Sequence, residues 1–74
     1  MPVKIEHQET EYDHLLEYIY STPPNVGDMI EGAITDDTGT TLQINGGGYV
    51  VMIEEHWSPH RRTFAYIKTL ASVL

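Results

Sequence analysis

Two groups of residues in this 74-residue chain are of types that could do chemistry. The first is Asp37-Thr38-Gly39, a carboxylate in a turn after an expected strand. Two such loops brought face to face would let paired carboxylates share one proton. The second is His56 and His60, which flank Trp57-Ser58-Pro59 and follow Glu54 and Glu55. Imidazoles and carboxylates in one neighbourhood can ligate zinc or another transition metal. Here Pro59 places His56 before the start of an expected helix, so the four-residue spacing does not converge two ligands, and His7 and His14 are distant. His60-Arg61-Arg62 is the one basic knot. It could receive a phosphate or a partner's carboxylate at a helix start, or pair within the chain with Glu54, Glu55 or another acid.

Other nucleophile and phosphate patterns are missing. Ser21, Ser58 and Ser72 lie in no Gly-x-Ser-x-Gly context. Gly46-Gly47-Gly48 is followed by no Lys-Ser or Lys-Thr and joins strand to strand, so it reads as a turn. Asp-Thr-Gly resembles the aspartic-protease triplet, but Asp36 stands where that family has an apolar residue, and Thr40 and Thr41 where it has a small and an acidic one. The chain also lacks room for that family's flap and its later apolar-Gly-Arg segment. The triplet therefore reads as hairpin-turn chemistry. Acyl carrier proteins, also short and acidic, carry an Asp-Ser-Leu that this chain lacks. No catalytic residue, metal ligand or cofactor is assigned, and the expectation is a protein that is not an enzyme.

The elements that must hold these residues divide by period. Pro2 to Glu6 reads as a short edge strand or a lead-in. Thr10 to Ser21 reads as a helix, with Tyr12, Leu15, Leu16 and Ile19 on one face, Thr10 as N-cap and Pro23-Pro24 as terminator. After the rigid connector Thr22 to Gly27 the period changes to two. Asp28 to Thr35, Thr40 to Asn45 and Tyr49 to Glu55 read as three strands of an antiparallel meander, joined by turns at Asp36–Gly39 and Gly46–Gly48. Ser58-Pro59 reads as the cap and first position of a last helix running to Leu74, with a fourth strand as the alternative. The expected fold is α+β: a three-stranded antiparallel sheet flanked by an N-terminal and a C-terminal helix, in one domain spanning 1–74.

Charge bounds the partners. Eleven carboxylates face four Lys or Arg, a net charge of −7. Nucleic acid and anionic lipid repel such a chain. It has no cysteine, hence no disulfide or thiolate-metal centre, and no apolar run near the ~18 residues that span a bilayer. The acidic, interrupted first residues do not read as a signal peptide. A cytoplasmic protein without a membrane partner is expected.

On the expected first helix Asp13 and Glu17 share a face with Glu9 nearby, a like-charge spacing that costs stability unless something favours the stripe. Asp36 and Asp37 cluster at the first hairpin, and Glu54 and Glu55 end the third strand. Tyr18, Tyr20 and Trp57 are hard to bury completely, and exposed aromatics beside carboxylates are common in protein interfaces. These ten residues are the candidate partner-binding set. Size, acidity, lack of cysteine and an α+β layout without catalytic motifs resemble the profile of small inhibitors encoded by phages and mobile elements, such as anti-CRISPR proteins and DNA mimics. That resemblance implies a monomeric inhibitor whose carboxylates block the nucleic-acid groove of a basic host complex. The alternatives are a subunit that self-associates through its aromatics and edge strand, and an enzyme using His56, His60 or Asp37.

Overall fold

A computed structural model describes residues 3–5 and 11–70. Its elements are all strands: β1 (Val3–Ile5), β2 (His14–Tyr18), β3 (Met29–Thr35), β4 (Thr41–His56) and β5 (Arg62–Thr69). Every pairing is antiparallel. The sheet runs β1-β4-β5-β2, with β3 also on β4. One edge of β4 carries β3 from Thr41 to Tyr49 and then β1 from Glu54 to His56; the other carries β5 from Gly48 to His56. The sheet curls into a half-barrel around its own side chains.

The α+β expectation is therefore corrected to all-β. The described part of the expected helix, residues 11–21, is not helical: His14–Tyr18 is a strand, and the buried pair is Leu16 and Tyr18, two residues apart. Leu15, on the expected helical face, is 44% exposed. Leu16 fits both periods, so it could not decide between them. Thr10, the expected cap, lies outside the described residues.

The expected last helix is β5. Thr63, Ala65 and Ile67 alternate into the interior, while Leu70, on the expected helical stripe, is 40% exposed. Thr63, Phe64, Tyr66, Ile67 and Thr69 all favour a pleated surface over a helix, so the fourth-strand alternative describes the segment. The last four residues, 71–74, lie outside the described ones.

The second and third expected strands are one. Gly46-Gly47-Gly48 is not a turn but a bend within β4, which stays paired with β3 as far as Tyr49 and takes up β5 from Gly48. Gly46 and Gly47 adopt φ near +93° and +92°, and Gly47 O accepts the Leu70 N–H at 2.9 Å. A Cβ on Gly48 would sit 2.8 Å from the Lys68 carbonyl oxygen. Glycine in a strand commonly marks such a close backbone approach.

The interior is built in cross-strand rows. Ile53, Ala65 and Leu16 lie opposite one another, as do Val50, Ile67 and His14. Leu16, Tyr18, Ile44, Val50, Ile53, Ala65 and Ile67 form the buried cluster, and Val26, Ile30, Ile34 and Leu42 pack against it. A bulge between Val50 and Met52 lets both Val50 and Val51 be buried, each 1% exposed. Burying a side chain such as Ile67 contributes roughly 2–3 kcal/mol. No helix among the described residues is long and apolar enough to cross a membrane.

Candidate binding site

The half-barrel is closed at one end by a clasp of two carboxylates. Asp36 and Asp37 follow β3, and both reach across to β2. Asp36 Oδ2 accepts the Glu17 N–H at 2.9 Å, and Asp36 Oδ1 accepts the N–H groups of Thr38 and Thr40 and the Thr38 hydroxyl. The Asp37 N–H donates to Glu17 O at 3.1 Å. Asp37 Oδ2 accepts three consecutive N–H groups, from Ile19, Tyr20 and Ser21, each at 2.8 Å. Converging amides of this kind form an anion nest, here filled by the chain's own carboxylate. The Ser21 hydroxyl and N–H, with the amides of Tyr20 and Ile19, hold the Asp37 carboxyl far below the usual carboxylate range. Burial pushes Asp36 up, but the hydrogen bonds from Glu17, Thr38 and Thr40 outweigh it and keep it low.

The clasp fixes the backbone that presents Tyr20, a residue 88% exposed. Beyond it the connector Thr22-Pro23-Pro24-Asn25 runs past the end of the sheet. At that end one inward row consists of Tyr18, Thr63 and Glu55. The space between is an open cleft of about 460 Å³, lined by Pro23, Pro24, Val26, Ile53, Glu55 and Arg61 among others. A smaller recess of about 120 Å³ adjoins it, between Tyr18, Tyr20, Thr63 and Arg61. Arg61 borders both hollows. Its Cζ lies 5.3 Å from the centre of the Trp57 ring, and its Nη2 is 3.7 Å from Glu55 Oε2. Trp57 is 46% exposed. Tyr20, Arg61 and Trp57 thus rim one end of the barrel.

The other candidate residues are placed as follows. Tyr18 is buried, 6% exposed, and offers no free ring; burial, with Asp36 and Asp37 nearby, pushes its hydroxyl pKa up. Asp13 and Glu17 do not form the stripe a helix would give. Asp13 accepts the Thr69 N–H at 2.7 Å and its hydroxyl at 2.9 Å, and these bonds lower its pKa. Glu17 lies in β2, 3.5 Å from Arg62. Positions 13 and 17 are roughly 13 Å apart along an extended chain, against about 6 Å on a helix. The sheet does bring Glu17 and Glu54 into one cross-strand row, on either side of Phe64. Glu54 is 3.0 Å from His56 Nε2 and accepts the Tyr66 hydroxyl at 2.9 Å. The His56 contact, outweighing burial, together with the Tyr66 hydroxyl, lowers its pKa. Glu9 lies outside the described residues.

The basic knot sits in a loop and the start of β5, so it has no helix dipole behind it; Arg61 pairs with Glu55 and Arg62 with Glu17. Among the described residues no group of three or more His, Asp or Glu could hold a metal ion. Residues that sequence reasoning missed are Pro23, Pro24, Ile53 and Thr63, which line the hollows, and Ser21 and Thr69, which engage Asp37 and Asp13. Their partners lie far along the chain, so no local pattern signals them. No family model, curated protein or solved structure matches the chain.

Proposed function

We propose that this chain is a non-enzymatic protein-binding module whose contact surface is the barrel end rimmed by Tyr20, Arg61 and Trp57. The observation that carries the reading is Tyr20: an almost fully exposed aromatic on backbone that Asp37 holds by three amide hydrogen bonds. A ring on a fixed backbone loses little freedom on binding, and Tyr, Trp and Arg dominate binding hot spots. The inhibitor of a basic nucleic-acid-binding complex is the sharper form of this proposal. Its support is the net charge of −7, which steers a basic partner at long range. The short-range contacts then come from the rim, because Asp13, Asp36, Asp37 and Glu54 each accept hydrogen bonds inside the fold.

The test is affinity capture from a nuclease-treated bacterial lysate, comparing the native chain with a Tyr20→Ala/Trp57→Ala variant of unchanged circular dichroism. The expected result is a protein retained by the native chain and lost from the variant. Equal retention by both overturns the reading. Release of the captured protein by salt and by added DNA supports the inhibitor form; retention through both sinks that form.

A further inference from the structure

We propose that the cleft beside Trp57 receives an arginine side chain from a basic partner, and that Arg61 occupies this seat in the free protein. The inference rests on the binding reading above and names the chemistry of the partner. A guanidinium is recognised by an aromatic face on which it stacks and a carboxylate that accepts its N–H groups. Trp57 and Glu55 supply both, and Arg61 uses both loosely. At 3.7 Å its contact with Glu55 is too long for a hydrogen bond. The Arg61 side chain remains 58% exposed, whereas that of Glu55 is only 14% exposed. The carboxylate is thus set into the wall of the cleft while the cation over it lies mostly in water.

Pro23, Pro24, Val26 and Ile53 line the cleft beside them, interspersed with the polar Thr22 and Asn25, and these four suit the methylenes of a long side chain while its head stays at Glu55 and Trp57. Charge complementarity selects the occupant. A net charge of −7 attracts a cationic segment and repels an anionic one, so a partner carboxylate seeking Arg61 meets an unfavourable field and Glu55 at close range. A planar guanidinium can stack on Trp57 and bond Glu55 at the same time, which a lysine ammonium does less well.

Trp57 is the only tryptophan, so its fluorescence reports the seat directly. The experiment titrates the full chain with the capped pentapeptide Gly-Val-Arg-Val-Gly and with the same peptide carrying citrulline, which keeps the shape and lacks the charge. Saturable change in Trp57 emission with arginine and none with citrulline is expected. Glu55→Gln should weaken binding about three- to fivefold. Arg61→Ala should strengthen it by a similar factor, because the internal competitor is gone; no merely structural role predicts that direction. Equal response to both peptides, no response to either at millimolar concentration, or weaker binding by Arg61→Ala overturns the inference. If the peptides fail while lysate capture still depends on Tyr20 and Trp57, the arginine seat falls and the binding module stands.

Discussion

Asp37 holds Ser21 twice: one carboxylate oxygen accepts its N–H at 2.8 Å, and the other accepts its hydroxyl at 2.7 Å. With the Tyr20 and Ile19 amides on the first oxygen, this joins the first hairpin to the far edge of the sheet. A residue that reads as a surface charge in a turn is therefore a fastener, and its ionised form is the one the fold requires.

The pH dependence follows. The hydrogen bonds from the Ser21 hydroxyl and amide and from the Tyr20 and Ile19 amides hold the Asp37 carboxyl of the folded chain below its ordinary value. A lowered carboxyl pKa contributes stability above the unfolded value and loses it as pH falls through the folded one. Asp37→Asn should lower the urea midpoint at pH 7 and speed amide exchange at Ile19, Tyr20 and Ser21. The gap between native and variant midpoints should narrow below about pH 4. A gap that is constant from pH 7 to pH 2 would exclude the fastener role of the ionised carboxylate.

Tyr66 makes the alkaline counterpart. Burial, with its hydrogen bond to Glu54 and the charge there, pushes its pKa up to about 12. A raised phenol pKa contributes stability that is complete below the unfolded value near 10 and is lost as pH rises toward 12. Tyr66→Phe should cost roughly 0.5–1.5 kcal/mol at pH 7 through the lost hydrogen bond. It should also flatten the stability loss between pH 10 and 12, which thermal melts across that range would measure.

Gly48→Ala tests the bend in β4. The added methyl would meet the Lys68 carbonyl at 2.8 Å, with Ile44 and the Thr69 backbone at 3.4 Å. Backbone cannot swing aside as a side chain can, so a loss of about 1–3 kcal/mol is expected. Gly39→Ala separates clash from strain: its φ is +90° with nothing within 4 Å of the added methyl. Equal, small effects at both sites in chemical denaturation would remove the close approach as the reason for glycine at 48.

The sequence was legible where local chemistry decides the structure. The alternation of Ile30 and Ile34, the turn at Asp36–Gly39 and the pairing of the basic knot with nearby acids all have counterparts in β3, its hairpin and the Arg61–Glu55 contact. It was illegible where a distant strand decides. Leu15-Leu16 satisfies a helical period as well as a strand one, and only β5, about fifty residues later, makes residues 14–18 a strand. Three glycines read as a turn because nothing nearby shows that β4 continues through them to new partners on both sides. At the site, Tyr20 and Trp57 are exposed as their size suggested, whereas Tyr18 is in the core because its neighbour in the sheet is Thr63.

The arrangement of β2 also sets an order of assembly. Its strand partner is β5, with His14 opposite Ile67 and Tyr18 opposite Thr63, so it has no strand to join until roughly fifty further residues have followed. The hairpin of β3 and β4 needs only a short loop to close and can form first. Tyr20 and the connector depend on the clasp and, through β2, on β5. The rim of Tyr20, Arg61 and Trp57 thus depends on the pairing of β2 with β5, and a chain stopped before β5 would carry these residues without the frame that presents them.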